Sequence, residues 1–446
     1  MKTKLNAGEL ALVSSTLFGL FFGAGNLIFP VHLGQLAGAN VFWALVGFII
    51  SAVGLPILGV VVIGATHSSG LQELSSRIGP RYAKVFTALL YLTIGPFFAI
   101  PRTATTSFTI GVEPLLDGKE NATLTLLIFT AVFFAAALFF SLRPSGIVTW
   151  IGKILNPIFL ACLAVLVVAA LWSPATSVGS VDPDASYQSG VFFKGLLDGY
   201  NTMDGIASLA FGIVIINVIM TVGITEERAI ARSTMKAGVF AGLLMAFIYV
   251  LVTIMGVQSR GLFETSENGG IALAQISQHY LGSVGTLVLA LTITFACFKT
   301  AIGLITACGQ AFEPLLKGRV SYNKLVIAFS LFSFLMANVG LTALIDYAVP
   351  ILMLLYPLAI SLIFLAFVDS YVKLPRSVYL CATVGAGIAA IFDFLKMLPF
   401  GIEVSWAASF LPLFDLGLGW VVPSLIGAMI GIIIFATSRN GKNMRS

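Results

Sequence analysis

The sequence predicts an all-α integral membrane protein with twelve transmembrane helices, and three observations predict it. Charged residues make up 10% of the chain and hydrophobic residues 58%, whereas a soluble domain carries about 25% charged residues and cannot bury so much apolar surface. Apolar runs of about 20 residues, long enough to cross a bilayer core, recur from end to end and leave no room for a soluble domain. Lys and Arg are sorted between alternate loops, as membrane topology requires.

The runs are 9–33, 41–65, 84–113, 122–141, 147–173, 191–221, 233–257, 282–312, 322–339, 342–369, 376–397 and 417–437. The first is long and Gly-rich with no small-residue cleavage motif behind it, so it reads as a retained helix and not a signal peptide. With the N-terminus inside, eighteen basic residues fall on the cytoplasmic side: Lys2, Lys4, Arg77, Arg81, Lys84, Arg143, Lys153, Arg228, Arg232, Lys236, Lys317, Arg319, Lys324, Lys373, Arg376, Arg439, Lys442 and Arg445. The opposite loops hold four, Lys119, Lys194, Arg260 and Lys396, among Asp117, Glu120, Asp182, Asp184, Glu264, Glu267 and Glu403. This bias puts both termini in the cytoplasm. It also explains the net charge of +5 without nucleic acid. Cys162, Cys297, Cys308 and Cys381 all lie inside apolar runs, so no disulfide framework is expected.

Two runs are interrupted at mid-span by glycine and polar residues, Gly19-Leu-Phe-Phe-Gly-Ala-Gly-Asn26 in the first and Thr202-Met-Asp-Gly-Ile-Ala-Ser208 in the sixth. Such punctuation marks discontinuous helices. The breaks are five spans apart, and an odd repeat must re-enter the membrane upside down, which predicts two inverted five-helix repeats, about 9–173 and 191–369, followed by two extra helices, about 376–437. Glu113-Pro-Leu-Leu116 and Glu313-Pro-Leu-Leu316 fall at equivalent positions of the two repeats.

Unwound backbone at membrane depth costs several kcal/mol per unpaired group, so it persists only where it lines a cavity or meets a ligand. Gly23, Ala24, Gly25 and Asn26 offer free amides at the start of an outer half-helix, whose positive dipole end suits a carboxylate, while carbonyls ending the inner half-helix suit a cation. The competing reading is that Gly23 and Gly25 only allow close helix packing. The second break speaks against it, because a midplane site needs both halves, and Asp204 beside Gly205 adds an ionisable group that is expensive without a role.

Gly19-Leu-Phe-Phe-Gly-Ala-Gly-Asn-Leu-Ile-Phe-Pro30, Gly95-Pro-Phe-Phe-Ala-Ile-Pro-Arg-Thr-Ala-Thr105, Gly199-Tyr-Asn-Thr-Met-Asp-Gly-Ile-Ala-Ser208 and Thr300-Ala-Ile-Gly-Leu-Ile-Thr-Ala-Cys308 together resemble the bacterial branched-chain amino acid:cation symporter family of BrnQ type, over nearly the whole chain. The first stretch also resembles the Gly-x-Gly-Asn…Phe-Pro of sodium:neurotransmitter symporters. The resemblance implies the LeuT-type fold of the APC superfamily and uptake of leucine, isoleucine and valine by symport with Na+ or H+, with no other cofactor. It further implies a sodium between helices 1 and 8, faced by the carbonyls of Gly19 and Phe22 and, opposite, by Ala296, Lys299 and Thr300. Asn26 matches the asparagine of a second sodium site.

Lys299 departs from that pattern, since a hydroxyl is expected there and an ammonium cannot coordinate sodium. Either it replaces the ion, holding the same carbonyls when charged and releasing them when neutral, or one residue of misalignment turns it about 100° toward water or a carboxylate and leaves Thr300 to serve sodium. A carrier for another neutral amino acid with Lys299 in the ion's place is the alternative function.

A branched-chain amino acid asks for amides, acceptors and an apolar pocket. The helix 6 backbone from Asp204 through Gly205 to Ala207 and Ser208 supplies acceptors, and Phe22, Phe97, Leu209 and Phe211 are pocket candidates. Arg102, between Pro101 and Thr103, either binds the carboxylate or gates or locks helices through a carboxylate or carbonyl partner, and Asp346 and Asp393 allow the second reading too. Three scattered histidines, His32, His67 and His279, support no metal site, and the chain has no phosphate-binding loop, so transport runs on a gradient. A membrane-embedded enzyme would cluster acidic or His/Ser residues at a membrane face, which this sequence does not do. An uncoupled channel or exporter is separated from a symporter by concentrative uptake. Membrane lipid and the substrate are the expected partners, with no obligate protein partner.

Overall fold

In the computed structural model, which describes residues 4–66, 68–115, 122–398 and 402–443, every element is helical and no strand occurs among the described residues. Ten stretches of helix are long and apolar enough to cross a bilayer, and Ala7–Phe21 and Tyr322–Ala337 are shorter apolar helices. In the absence of water, helices are how such a chain satisfies its own backbone.

The chain begins with α1 (Ala7–Phe21), whose start is fixed by a capping box: Asn6 Oδ1 accepts from the Glu9 amide at 2.8 Å and Glu9 Oε2 accepts from the Asn6 amide at 2.9 Å. After residues 22–24 comes α2 (Gly25–Ala37), then α3 over 41–65, which passes through a π-helical turn at Ile50–Gly54. A short α4 (Leu71–Ser76) leads to α5 (Pro80–Leu92) and α6 (Ala99–Ser107). Next are α7 (Ala122–Ser141), α8 (Asn156–Trp172, with a π-helical lead-in at Val148–Leu155), α9 (Val191–Tyr200) and α10 (Asp204–Thr221). The second half continues with α11 (Glu227–Ser259), α12 (Gly269–Leu315), α13 (Tyr322–Ala337), α14 (Leu341–Asp369), α15 (Arg376–Lys396) and α16 (Val421–Asn443).

Four departures from the sequence reading have local causes. The segment expected as a loop before residue 282 is helical from Gly269, because Asn268 Oδ1 accepts from the amides of Gly270 and Ile271, and the helix then turns at Gly282 with φ +60°. The run expected from residue 84 starts at Pro80, a residue pre-organised for a first helical turn. That run is also interrupted, since Gly95 (φ −95°, ψ −125°) and Phe98 (φ −141°, ψ −66°) leave helical geometry between α5 and α6. The last helix starts at Val421 and not 417, after turns with φ +66° at Leu413 and +64° at Gly417. Lys2, His67, Leu116, Asp117, Lys119, Glu120, Arg445 and the side chains of Asp346, Arg439 and Lys442 lie outside the described residues.

Small residues set the closest approach near the breaks. A Cβ on Gly47 of α3 would strike the Phe192 carbonyl of α9, and one on Gly195 of α9 would strike the Ala44 carbonyl of α3, so these two backbones touch where glycine faces both ways. At the end expected to be cytoplasmic, Arg77 pairs with Asp369, which also accepts from the Leu374 amide at 2.6 Å, and Arg376 Nε donates to the Ile78 carbonyl at 3.0 Å. These contacts tie the α4–α5 connection to the α14–α15 turn.

Candidate functional site at the helix breaks

Helix α1 stops because Phe22 turns to φ −75°, ψ 86°. The Gly23 amide is then used twice, donating to the Phe21 carbonyl at 2.8 Å and to Asn26 Oδ1 at 2.9 Å. The Asn26 amide returns to the Gly23 carbonyl at 3.2 Å. Of the four amides the sequence offered to a ligand, this leaves two: Ala24, which meets only the Cys297 thiol, and Gly25, which finds no acceptor among the described residues. Helix α2 begins there with no side-chain cap, so its positive end is open.

The second break is built differently. Helix α9 ends at Tyr200, Met203 sits in the left-handed region at φ +65°, and Asp204 opens α10. A non-glycine residue in that conformation costs about 1–2 kcal/mol and persists where its surroundings over-determine it. Here the Ala207 amide donates to the Met203 carbonyl at 3.0 Å, while the Tyr200 ring stacks on Tyr356 (4.7 Å, 14°), whose hydroxyl donates to the Tyr200 carbonyl at 2.5 Å.

Asn26 joins the two breaks. Its Nδ2 donates to the Asp204 carboxylate and lies 2.5 Å from the Tyr249 hydroxyl of α11. A cavity opens beside this junction. Gly23, Ala24, Gly25 and Asn26 line it from the first break, Asp204, Ala207 and Phe211 from α10, Ala99, Arg102, Thr103 and Thr106 from α6, and Cys297, Thr300 and Leu304 from α12.

Arg102 reaches this cavity from α6. Its guanidinium lies 5.5 Å from the Phe98 ring centroid, and a Cβ on Gly25 would come within 3.2 Å of Nη2. It makes no ion pair and no side-chain hydrogen bond among the described residues. The partner that a helix-locking arginine needs is therefore not present. Asp393, the other acid offered that reading, is buried on α15 outside the cavity.

Lys299 is fully buried and does not line the cavity. Its Nζ donates to Asn156 Oδ1 of α8 at 2.9 Å and sits 3.7, 4.9 and 5.7 Å from the ring centroids of Phe159, Phe18 and Phe22. Asn156 in turn donates to the Ser15 carbonyl of α1 and approaches Gly19, where a Cβ would lie 2.8 Å from its Oδ1. The lysine thus points neither to water nor to a carboxylate. Thr300, the next residue, faces the other way: its Oγ1 is buried without a hydrogen bond, and a Cβ on Gly23 would be 3.2 Å from it. The 100° step per residue of a helix places the two side chains on different faces of α12.

Other candidates turn away from the cavity. Phe22 stacks into the ring cluster of Phe18, Phe159 and Tyr249. Gly205 faces Tyr356, Ser208 packs on Gly59 of α3 and donates to the Gly205 carbonyl at 2.7 Å, and Ala296 and Leu209 are buried elsewhere. Phe97, 48% exposed, lies on the outside against Phe332, because the chain breaks one residue later at Phe98. Tyr249, Asn156 and Cys297 were not singled out from sequence. Asn156-Pro157 at mid-span and the Gly95-Pro96 pair were the legible signals for polar or broken positions.

Comparison with solved structures places this architecture. The chain superposes on Mhp1, a nucleobase-cation-symport-1 family transporter in a closed conformation with bromovinylhydantoin bound, with a TM-score of 0.61 at 14% identity over 96% of this chain and 92% of that one. It superposes on MhsT in complex with L-phenylalanine with a TM-score of 0.58 at 16% identity, over 98% and 99%. These likenesses show a LeuT-type fold, and the family and its relatives make the class a membrane transporter and not an enzyme. Residues 6–438 match the family described as branched-chain amino acid transport protein, and the chain belongs to that family. Relatives include the branched-chain amino acid permease BrnQ of Lactobacillus delbrueckii subsp. lactis, 47% identical over 97% of this chain and 98% of the relative. Branched-chain amino acid permease BraB of Bacillus subtilis and the branched-chain amino acid transport system 2 carrier protein of Pseudomonas aeruginosa are each 41% identical, over 97% of both chains.

Proposed function

We propose that the chain is a symporter that brings leucine, isoleucine and valine into a bacterial cell across the cytoplasmic membrane, coupled to a cation and working by alternating access. The observation that carries the reading is the meeting of two broken helices at one cavity, with an amide at Gly25 that has no acceptor among the described residues and one at Ala24 that meets only a thiol, a carboxylate at Asp204, and apolar walls from Leu20, Phe21 and Phe211. An apolar amino acid asks for these three surroundings. Membership of a family whose relatives are named branched-chain amino acid permeases supports the substrate class. Apolar walls separate neighbouring side chains by only about 1–3 kcal/mol per methylene, so the three amino acids are accepted together.

The topology that goes with this reading is twelve spans with both termini cytoplasmic, as inverted repeats over 9–173 and 191–369 plus two further helices. The broken pair α1–α2 and α9–α10 supports it, and alternating access follows from the helices carrying the breaks rocking against the rest.

For the coupling ion, the position of Lys299 supports a fixed charge in place of sodium, because its ammonium bridges to α1 through Asn156 beside Gly19. One observation favours the sodium reading instead, the unbonded Thr300 hydroxyl aimed at Gly23. Leucine uptake into proteoliposomes, driven separately by sodium and proton gradients for wild type and Lys299→Thr, decides. Proton-driven uptake that is lost or becomes sodium-dependent in the variant supports the lysine. Sodium-driven uptake by wild type supports Thr300. Uptake of no amino acid under either gradient overturns the function.

A further inference from the structure

Arg102 and Asp204 are the two charged side chains that line the cavity, and they do not pair with each other. Charges at this depth are costly unless they serve a ligand or a partner. Arg102 has donors with no acceptor among the described residues. Asp204 receives the Asn26 side-chain amide and the side chains of Thr202 and Tyr249, three donors against the about four hydrogen bonds that two carboxylate oxygens accept, so one place remains.

The two charges flank the first turn of α2 at consecutive positions. Arg102 lies beside Gly25, where the missing Cβ leaves room for its guanidinium, and Asp204 lies beside Asn26. Gly25 and Asn26 are consecutive, so both charges reach the same turn of α2 and line the same cavity. The Gly25 amide, without an acceptor among the described residues, borders the same cavity as the guanidinium.

We propose that Arg102 and Asp204 read the two ends of the zwitterion: the guanidinium, with the Gly25 amide, holds the substrate carboxylate, and the Asp204 carboxylate holds the ammonium. The proposal rests on the amino acid transport reading and states how that site recognises the backbone of its substrate. The site is neutral as a pair and stays neutral with a zwitterion bound, whereas a ligand with one charge missing leaves its opposite unpaired in a buried place.

Competition for radiolabelled leucine by unlabelled leucine, leucinamide and 4-methylpentanoate, on purified full-length protein at about pH 6.5, where both amines are protonated, tests this. Wild type is expected to bind each truncated ligand on the order of 100-fold more weakly than leucine, the scale of a lost charge-assisted hydrogen bond. Arg102→Gln is expected to lose that factor for leucine while leucinamide changes by less than about 3-fold, and Arg102→Lys to recover part of it. Asp204→Asn is expected to weaken leucine and leucinamide but not 4-methylpentanoate. Equal loss of leucine and leucinamide in Arg102→Gln, with the thermal melt unchanged, makes Arg102 a structural residue and overturns the proposal. Should the glutamine variant not fold, a wild type that binds leucinamide as tightly as leucine overturns it just as well. Failure of wild type to bind leucine at all is a different result, and counts against the transport reading.

Discussion

Two basic side chains stand beside the helix breaks in this protein, and their surroundings are opposite. Lys299 is sealed from the cavity, with its ammonium on the Asn156 side-chain oxygen and three phenylalanine rings around it. Arg102 lines the cavity with its donors unused. A buried charge satisfied by the protein holds helices together, here α12 to α8 and, through Ser15, to α1. A charge left unsatisfied at a cavity wall is held ready for something that arrives. The same cost of burial makes a clasp of one and, on the zwitterion proposal, a receptor of the other.

The largest effect expected from this contrast is on stability. Asn156→Leu removes the acceptor and leaves the Lys299 ammonium buried among rings, which costs about 2–3 kcal/mol, the range for hydrogen bonds to charged groups. Asn156→Leu with Lys299→Met removes both partners and is expected to be more stable than the single variant. Arg102→Gln is expected to shift stability by about 1 kcal/mol or less, since the contact it breaks among the described residues is the one with the Phe98 ring, 5.5 Å from the guanidinium. Denaturant or thermal unfolding of the purified protein ranks the three. A destabilised Arg102→Gln beside a tolerant Asn156→Leu would reverse the assignment.

The next effect separates the cysteines along the same line. Cys297 lines the cavity beside the Ala24 amide, whereas Cys308 is buried outside it, 3.5 Å from the Tyr91 carbonyl. In a variant keeping Cys297 alone, leucine at roughly ten times its Kd leaves about a tenth of the sites empty, so reaction with a small thiol reagent is expected to slow about tenfold. A variant keeping Cys308 alone is expected to show no protection. Equal protection at both would mean that leucine closes the whole protein and does not cover one wall.

How far the sequence carried the structure follows from what each feature depends on. Of the twenty-four Lys and Arg, eighteen fall in one set of loops and four in the other, and the two left over are Arg102 and Lys299. The apolar helices were legible because they rest on local composition, and the glycine and polar residues that punctuate two of the runs coincide with the helix ends around 22–24 and 201–203. What each buried charge touches was not legible. Whether Lys299 meets Asn156 depends on α8 packing against α12, 143 residues away in the chain. The direction of Phe22 and Phe97 depends on where the helix leaves its own geometry, at Phe22 and at Phe98, and one residue of shift moves a side chain to another face. The Gly95-Pro96 break was present in the sequence as a pair of helix breakers and explains how Arg102 comes to face the first break.

The smallest effects distinguish two glycines of the same turn. A Cβ on Gly25 would lie 3.2 Å from Arg102 Nη2 and 3.2 Å from the Phe29 ring, while one on Gly23 would lie 3.2 Å from Thr300 Oγ1. All three distances are tighter than ordinary van der Waals contact, so each alanine pushes its neighbours by a fraction of an ångström without filling the cavity. Gly25→Ala is expected to raise the KM for leucine a few-fold, on the order of 1 kcal/mol, and to leave the dependence on the coupling cation unchanged. Gly23→Ala is expected to do the reverse if a cation uses the Thr300 hydroxyl: the cation concentration for half-maximal uptake rises a few-fold while the KM for leucine at saturating cation stays. Uptake kinetics measured against both leucine and cation separate the two. Should Gly23→Ala leave cation dependence untouched, the orphaned hydroxyl serves no ion, and the fixed ammonium of Lys299 remains as the cation beside α1.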